Sequence, residues 1–437
     1  MVDHGTPEGL TAENRRLVKE VAQLRAELSA LRAEAPSSSV DSATDPTPVT
    51  NLTNPEIARY SRHLLMPEIG VTGQLKLRNA AVVVVGAGGL GSPCLLYLAA
   101  MGVGRLGVVD HDRVEVSNLQ RQVIHTERAG ELGVTKAQSA RDAVARLNAA
   151  CRCTAHEIHL NSDNALELLS AYDVVVDATD NAATRYLVND ACVLLDRPLV
   201  SASALRLEGQ LTVYHHRGGP CYRCLFPEPP PPAAVTNCSE GGVLGVVPGV
   251  LGTLQALEVV KVLLDVAPDA PPVLMLFSAF RQPTFRAIRL RGRQPRCAVC
   301  GPDATITHLL DYPTLCGQAQ HDGPSTLALL PANQRVTCSS YAAAARARVP
   351  HLLLDVREPV QFAICHLPGA INVAWSELPG RIDEIPKADP IYVVCRFGND
   401  SQEAVQYLRQ AGYSTARDLI GGLHAWSASV DPDFPVY

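Results

Sequence analysis

The sequence lacks any block of basic residues, and its 437 residues carry a formal net charge of -6. Direct contact with nucleic acid is therefore not expected, because phosphate backbones are bound mainly by clustered lysines and arginines. The first residues, MVDHGTPEGL, lack the basic and apolar regions of a signal peptide. The cysteine count is 13, an odd number. Together these features favour a cytosolic protein whose thiols are reduced and available for metal binding or catalysis.

A long uninterrupted apolar run is also missing. The longest candidate, residues 241–266, contains Pro248, Gln255, Glu258 and Lys261, which favours a buried helix over a membrane span. The chain is 47% hydrophobic and 19% charged, as is typical of a folded soluble enzyme. Its length exceeds that of one ordinary hydrophobic core, so two or three domains are expected.

Residues 1–35 are predicted to form a short amphipathic helix. Asn14 falls at an a position of a heptad frame whose apolar members are Leu17, Val21, Leu24, Leu28 and Leu31. Three heptads are marginal for a stable coiled coil, so a parallel coiled coil and a solitary helix both stay open. Residues 36–54 have the composition of a disordered linker.

The remaining sequence divides into two α/β units. From residue 79 apolar strands alternate with helical segments, as in AAVVVVGAGGLGSPCLLYLAAMGVGRLGVVD, DVVVDATDN and RPLVSASALRLEGQLTVYHH. This alternation predicts a parallel sheet in an α/β domain that spans residues 55–310. A proline cluster interrupts this domain at residues 227–238. Residues 311–334 are assigned to a second linker, and residues 335–437 to a small, separate α/β domain.

A glycine-rich turn, Gly86-Ala87-Gly88-Gly89-Leu90-Gly91, follows the first strand and opens a helix. Glycine permits a tight turn and close backbone approach, so that amides at the helix N-terminus can face phosphates. Asp110 ends the next strand, where a carboxylate can accept hydrogen bonds from ribose hydroxyls. The pattern predicts a nucleotide site, and taken alone it would also fit a dehydrogenase that binds NAD.

The residues that follow favour a triphosphate over a dinucleotide. Asn118 and Arg121 in SNLQRQ, and Lys136 beyond them, are polar and cationic groups suited to phosphate charge. Asp180 follows a strand, where its carboxylate could hold Mg²⁺. Binding of NAD but not of ATP would favour the dehydrogenase instead.

Five motifs in order, RYSRH, GAGGLGS, DHDRVEVSNLQRQ, TKAQSA and DATDN, resemble the MoeB/ThiF family, which is related to ubiquitin-activating enzymes. The resemblance covers residues 55–310. It implies a Rossmann-like adenylation domain that uses MgATP to adenylate the C-terminal glycine of a ubiquitin-fold protein. It also implies a set of nucleotide-binding residues, namely Gly86, Gly88, Gly89, Asp110, Ser117, Asn118, Leu119, Gln120, Arg121, Lys136, Asp180 and Asn181.

Two further roles come from the same resemblance. Asp180 would act catalytically as the Mg²⁺ ligand. Arg62 in RYSRH matches an arginine that reaches across a homodimer to the ATP of the partner subunit. Without the resemblance, Arg62 would be read as an ordinary surface cation.

Two CxxC pairs, Cys221 with Cys224 and Cys297 with Cys300, predict one structural Zn²⁺ site. Four thiolates complete a tetrahedral zinc shell and leave no open position for catalysis. The pairs are too far apart for a compact zinc ribbon, so the fold must bring them together. A redox dithiol and a set of buried thiols are the alternatives, and the resembled family also carries a structural zinc here.

Two other cysteines are candidates for catalysis. Cys238 in TNCSEGG follows the proline cluster, where an exposed, semi-rigid loop is expected. In the resembled family a cysteine on this crossover loop can attack the acyl group. Cys94 and Cys192 lie in apolar helical runs and are expected in the core. Cys395 ends an apolar strand in VVCRFGNDS, on a short loop that contains a glycine.

LLLDVREPVQF, CHLPGAINV, VVCRFGNDS and GGLHAW together resemble a rhodanese domain, over residues 335–437. The amides of the loop after Cys395 and the start of the next helix would then surround the sulfur, lower the thiol pKa and stabilise a persulfide. Asp355 and Arg357 are expected to brace this domain, with Arg357 as a secondary candidate for loop contact. Asp400 on the rim should repel the thiosulfate dianion, which favours a protein-bound persulfide as donor.

The two resemblances together imply a two-step enzyme. Adenylation would activate the terminal glycine of a ubiquitin-like sulfur carrier, and the Cys395 persulfide would convert it to a thiocarboxylate. The implied partners are the molybdopterin synthase small subunit, the ubiquitin-related modifier, a persulfide donor such as a cysteine desulfurase, and a second copy of the chain. The implied pathways are molybdenum cofactor synthesis and 2-thiolation of the tRNA wobble uridine. A ubiquitin-like activator that forms a Cys238 thioester, and a non-catalytic scaffold, stay open.

Overall fold

The computed structural model describes residues 48–230, 241–267, 269–317 and 328–437. The predicted helix within residues 1–35, the predicted linker up to residue 47, and Cys238 lie outside these ranges. The chain divides into two units, Met1–Arg59 and Tyr60–Tyr437.

An eight-stranded sheet organises the first part of the larger unit. Its strands are β1 Ala81–Val85, β2 Arg105–Val109, β3 Arg152–His156, β4 Val174–Asp177, β5 Leu199–Leu205, β6 Glu208–Tyr214, β7 Val273–Ser278 and β8 Phe285–Arg289. They lie in the order β3-β2-β1-β4-β5-β6-β7-β8. All five residues of β1, AVVVV, are buried, as expected for a central strand that helices cover on both faces.

Only four of the seven strand pairings in this sheet are parallel, so the prediction of a parallel sheet is wrong for the other three. Strands β1 to β5 pair in parallel, whereas β6, β7 and β8 pair antiparallel. The reason lies in the connection, because only Arg206 and Leu207 separate β5 from β6. A parallel return needs a crossover of roughly a dozen residues, and two residues suffice only for a hairpin.

Helices pack on the sheet and form the crossovers between its parallel strands. Their bounds are Asn54–Leu64, Gly70–Asn79, Gly91–Met101, Glu127–Glu131, Lys136–Leu147, Ala165–Ser170, Ala182–Leu194, Tyr222–Leu225, Val246–Leu264 and Tyr312–Leu315. Side-chain caps begin several of them. Thr135 accepts from the Gln138 amide, and Asn181 accepts from the Thr184 amide, so that each satisfies an N–H that the first helical turn leaves unpaired.

The helix Val246–Leu264 is long and apolar enough, by length and composition alone, to cross a membrane. It packs instead against the helix Gly91–Met101 and strand β5. Leu251 and Val259 are fully buried in the core, and Gln255 donates to the Asp177 carbonyl. The predicted buried helix is therefore confirmed. Cys94 and Cys192 are also fully buried, as predicted.

A second, five-stranded parallel sheet forms the C-terminal part. Its strands are β9 Arg335–Val336, β10 Leu352–Asp355, β11 Ile371–Asn372, β12 Ile391–Val394 and β13 Arg417–Leu419, in the order β11-β10-β12-β13-β9. The accompanying helices are Cys338–Arg346, Pro359–Ile364, Asp400–Gln410 and Gly422–Ser429. The apolar residues of β10 and β12 lie at the centre of its core.

The described ends of the predicted linker 311–334 contact the two folded parts. Tyr312 is buried in the core of the first part, and its hydroxyl donates to Asp190. Leu330 is buried in the core of the second part. Burial of these two apolar side chains fixes each described end of the segment to its own folded part. Residues 318–327 between them lie outside the described ranges.

Candidate functional site

The glycine turn is held by hydrogen bonds on both sides. Gly86 has a φ of 98°, a conformation that glycine adopts without strain. A side chain at Gly89 would lie 3.1 Å from Pro248. Asp110 accepts from the Ala87 amide at 2.8 Å and from the Asp112 amide at 2.9 Å. Its carboxylate therefore braces the turn in addition to lying where a ribose would be recognised, and burial raises its pKa.

The predicted phosphate-binding groups form two small polar clusters. Arg121 donates to the Asn118 side chain at 2.7 Å, and Asn118 in turn donates to Glu115 at 3.2 Å. Lys136 is nearly buried and pairs with Asp112 at 2.7 Å. Each cation thus has a side-chain partner that a phosphate can replace, because charge-assisted bonds to phosphate are strong.

Two functional-site residues escaped the sequence analysis. Asp177, the first aspartate of DATDN, is fully buried and accepts from Thr179, Arg185 and Ser201. Arg185 donates to both Asp177 and the Thr179 carbonyl, so the pair fixes the loop that presents Asp180. The available signal was a charged residue inside an otherwise apolar strand, since such a residue is buried only with a partner.

A cavity of about 2370 Å³ brings most of the predicted nucleotide site together. The predicted residues that line it are Gly86, Gly88, Gly89, Asp110, Asn118, Arg121, Lys136, Asp180 and Asn181. Ser117, Leu119 and Gln120 are not among its lining residues. Arg62 is exposed and also absent from the lining, and its guanidinium contacts Ser61.

The four predicted zinc ligands meet at one point of the fold. The sulfur of Cys221 lies 3.8 Å from that of Cys224 and 3.5 Å from that of Cys297, and Cys224 lies 3.4 Å from Cys300. A tetrahedron with Zn–S bonds of ~2.3 Å has edges of about 3.8 Å. The donor set and spacing therefore fit Zn²⁺.

Close packing of these thiols also perturbs the pKa values of Cys224 and Cys300. The hydrogen bond with Cys221 lowers the pKa of Cys224 to about 5, whereas burial raises the pKa of Cys300 to about 12. The Gln294 amide donates to the Cys224 sulfur, as outer-shell groups do around metal-bound thiolates. Four close thiolates would repel one another, so all four ionise together only around a positive ion.

The Cys395 sulfur lies inside its predicted loop. Gly398 and Ser401 amides donate to it at 3.1 and 3.4 Å, and the Ser401 hydroxyl oxygen is 3.4 Å away. Ser401 belongs to the first turn of the helix Asp400–Gln410, whose positive end faces the sulfur. Gly398 needs its φ of 81° to close the loop. The predicted ring of donors is therefore present.

The expectation of a lowered thiol pKa is wrong for the free cysteine. Cys395 is 1% exposed, and this burial raises its pKa, with Asp400 adding to the increase. The Ser401 hydroxyl and the amides of Ser401 and Gly398 act in the opposite direction but are outweighed. The physical reason is that desolvation penalises a buried thiolate more than three donors stabilise it.

Asp355 and Arg357 form the expected brace. Arg357 is almost fully buried and donates to both carboxylate oxygens of Asp355, at 2.9 and 2.6 Å. It also donates to the Cys365 carbonyl and the Tyr437 hydroxyl. Cys338, in the same domain, is also buried.

Comparison with known proteins agrees with both halves of this geometry. Residues 60–299 match the ThiF family, and residues 339–429 match the rhodanese-like domain. The chain is 52% identical over 399 residues to the adenylyltransferase and sulfurtransferase MOCS3 of Aedes aegypti, covering 89% of this chain and 91% of that protein. It is 48% identical over 454 residues to the protein of the same name from Mus musculus, covering 98% of each.

A crystal structure of E. coli MccB with MccA-N7isoASN is similar at a TM-score of 0.49 and 24% identity, over 59% of this chain and 77% of that one. The relatives span almost the whole chain, and they carry two transferase activities in their name. The chain therefore belongs to the ThiF family, in the group of MOCS3 adenylyltransferases and sulfurtransferases that join an ATP-binding adenylation domain to a rhodanese-like domain.

Proposed function

We propose that this enzyme adenylates the C-terminal glycine of a ubiquitin-like sulfur carrier and then converts it to a thiocarboxylate with sulfur from Cys395. One observation carries the proposal. Phe397 and Asn399, on the Cys395 loop, line the same cavity as Gly88, Asp110 and Asp180 of the nucleotide site. Cys395 itself is buried and does not line the cavity, but its loop would border the space that holds the activated carboxyl group.

The extent of the cavity supports a protein substrate. Its volume of about 2370 Å³ exceeds the roughly 300–1,000 Å³ of most small-molecule sites. It runs from the glycine turn to Phe280 and Arg281, beyond the end of β7. Phe280 is 76% exposed, and an exposed aromatic beside a cation is typical of protein interfaces. An extended Gly-Gly tail would fill the space between this rim and the ATP site.

The adenylation step would use positioned charge. The carboxylate attacks the α-phosphorus of ATP, and pyrophosphate leaves to give an acyl-adenylate. Asn118, Arg121 and Lys136 would offset the phosphate charge. Asp180, an exposed carboxylate on the cavity wall, would hold Mg²⁺, which neutralises charge on the phosphate oxygens.

The sulfur-transfer step would use the Cys395 loop. The terminal sulfur of a Cys395 persulfide attacks the acyl carbon, and AMP leaves to give an acyl disulfide. A second thiol, Cys238 or another, attacks the Cys395 sulfur and releases the thiocarboxylate. The resulting disulfide is reduced by an external thiol, which closes the cycle. The product would serve molybdenum cofactor synthesis and 2-thiolation of the tRNA wobble uridine.

Arg62 would complete the ATP site of a second copy of the chain. The helices Gly70–Asn79, Gly91–Met101 and Val246–Leu264 pack together. They expose the apolar side chains of Val71, Tyr97, Val246 and Leu257, which supports a self-association face. Mixing Arg62→Ala with Lys136→Ala protein should restore adenylation, because a mixed dimer has one intact site. No recovery after subunit exchange would exclude a role for Arg62 across the dimer.

A cytosolic location is consistent with the thiols. A zinc site formed by Cys221, Cys224, Cys297 and Cys300 needs these thiols reduced, as thiols are kept in a reducing compartment. Fractionation of cells that express the tagged full chain would test this location. The physiological donor would be a protein persulfide, such as that of a cysteine desulfurase.

The deciding experiment combines the enzyme with ATP, Mg²⁺, a persulfide donor and ubiquitin-fold proteins that end in Gly-Gly. The carrier should gain about 16 Da, the difference between sulfur and oxygen at the acyl carbon. Cys395→Ser should still release pyrophosphate but form no thiocarboxylate. A thioester that is sensitive to dithiothreitol and persists in Cys395→Ala would instead favour the alternative, an activator that conjugates proteins through Cys238.

A further inference from the structure

His125 is a buried side chain that links the glycine turn to the helix Lys136–Leu147. The residue is 6% exposed. Its Nε2 atom lies 2.9 Å from the Ala87 carbonyl oxygen, and its Nδ1 atom lies 2.9 Å from the Ser139 hydroxyl. His125 is not one of the predicted nucleotide-binding residues, and these two contacts have no role in the proposed reaction so far.

The partners determine which nitrogen of the ring carries the proton. A carbonyl oxygen only accepts, so Nε2 must donate to Ala87. Nδ1 then accepts from the Ser139 hydroxyl in the neutral ring. Burial lowers the pKa of His125, and the nearby Lys136 cation acts in the same direction. The neutral tautomer with hydrogen on Nε2 is therefore the resident form.

Three successive peptide groups of the turn are each held by a different group. The Ala87 amide donates to Asp110, the Ala87 carbonyl accepts from His125, and the Gly88 carbonyl accepts from Ser92. His125 thus holds the middle peptide, which joins Ala87 to Gly88. A trans peptide points its N–H opposite to its C=O. The Gly88 N–H is consequently directed away from the histidine.

The Gly88 N–H has no protein acceptor within the described ranges, and Gly88 lines the nucleotide cavity. An amide that is held in orientation and left without a protein acceptor is suited to a phosphate oxygen. We propose that His125 is a positioning residue for adenylation, which holds the Ala87–Gly88 peptide so that the Gly88 amide binds a phosphate of ATP. Through Ser139 it also ties this peptide to the helix that begins with Lys136.

Three variants of the full-length enzyme separate this role from simple packing. His125→Phe keeps the ring volume and removes both hydrogen bonds. His125→Gln retains an amide donor that can reach Ala87. Ser139→Ala removes only the outer bond. Each is assayed by pyrophosphate exchange for KM and kcat, and by equilibrium binding of a non-hydrolysable ATP analogue.

We expect His125→Phe to raise both KM for ATP and the Kd of the analogue about tenfold, the effect of losing one oriented hydrogen bond. His125→Gln should recover most of this loss, and Ser139→Ala should raise KM about two- to threefold. Sulfur loading of Cys395 should be unchanged in all three, which verifies folding of the rhodanese domain.

A merely structural role predicts another pattern. Activity would then fall through kcat in proportion to the folded fraction, with KM and Kd unchanged. An unchanged Kd in His125→Phe, or equal rises in His125→Phe and His125→Gln, would overturn the proposal. If His125→Phe does not fold, the Kd values of His125→Gln and Ser139→Ala are compared with that of the wild type. An unchanged Kd in both variants would refute the proposal.

Discussion

Replacement of Asp190 by Asn should destabilise the adenylation domain and loosen its cysteine cluster. Asp190 is fully buried, and Arg223 donates to it at 2.9, 3.0 and 2.8 Å. Tyr312 donates to the same carboxylate at 2.8 Å. Arg223 lies between two of the cysteines, Cys221 and Cys224, so this pair anchors their segment to the helix Ala182–Leu194.

The expected cost follows from burial. Asp190→Asn keeps the shape of the side chain but leaves the Arg223 cation buried without a counter-charge, which costs about 3–5 kcal/mol. Glu131→Gln is the matched control, because it removes a carboxylate 3.4 Å from Arg128 in a pair that is 75% and 62% exposed. Exposed pairs contribute only ~0–1 kcal/mol.

The assay exploits an uneven distribution of tryptophan. Both tryptophans, Trp375 and Trp426, lie in the rhodanese domain. Their fluorescence therefore follows unfolding of that domain, while release of bound zinc to a chromogenic chelator follows the cysteine cluster. In urea, Asp190→Asn should lower the midpoint of zinc release by about 1 M or more, and the tryptophan midpoint should stay unchanged.

Two results would contradict this reasoning. A shift in zinc release no larger than that of Glu131→Gln would mean that the Asp190–Arg223 pair adds little beyond an exposed pair. An equal fall in the tryptophan midpoint would mean that the two domains unfold as one body. Tyr312→Phe should shift the midpoint of zinc release by an amount between those of Glu131→Gln and Asp190→Asn. The reason is that loss of one hydrogen bond to a charged group costs about 1.5–3 kcal/mol.

Three further predictions concern charge and protonation. Asp400→Arg should raise kcat/KM for thiosulfate about tenfold or more at low salt, because it replaces a repelling charge at the loop by an attracting one; unchanged turnover would contradict the assigned preference for a protein persulfide. Ser401→Ala should move the pH midpoint of Cys395 alkylation upward, since the hydroxyl opposes the pKa increase that burial causes; mass spectrometry of the Cys395 peptide measures it. Because the folded-state pKa of His125 lies below that of the unfolded chain, the free energy of unfolding should decrease as pH falls below about 6.5. His125→Phe should flatten that slope, and an unchanged slope would count against a neutral buried ring.

The local patterns that predicted the two domains depend on short spans of sequence. A run such as AVVVV before the glycines, or LLLD and IYVV later, needs only burial to become a strand. The glycine turn and the loop after Cys395 were predictable because positive φ angles at Gly86 and Gly398 demand glycine. The CxxC pairs predicted a metal site because four thiolates in two close pairs match the usual ligand set of structural zinc.

Other features depended on partners that are distant in the chain. The sequence showed that Cys395 follows a strand, but the sign of its pKa shift depends on how completely the fold excludes water from the sulfur. The antiparallel pairing in the large sheet begins where only two residues connect β5 to β6. The alternation of strands and helices in the sequence did not reveal that short connection. Asp177 and Arg185 were missed because their pairing exists only after β4 and the next helix have packed.

The sequence by itself determined which chemistry the chain can carry, because it fixes the residue types at the glycine turn, in the two CxxC pairs and at Cys395. Tertiary structure alone decided which of these groups lie close together in space. It also decided how burial shifts their pKa values. It brought Cys221 and Cys297 within 3.5 Å across 76 residues, and it set His125 against Ala87. The physical reason is that hydrogen-bond geometry and desolvation depend on neighbours in space, which the order of residues along the chain does not specify.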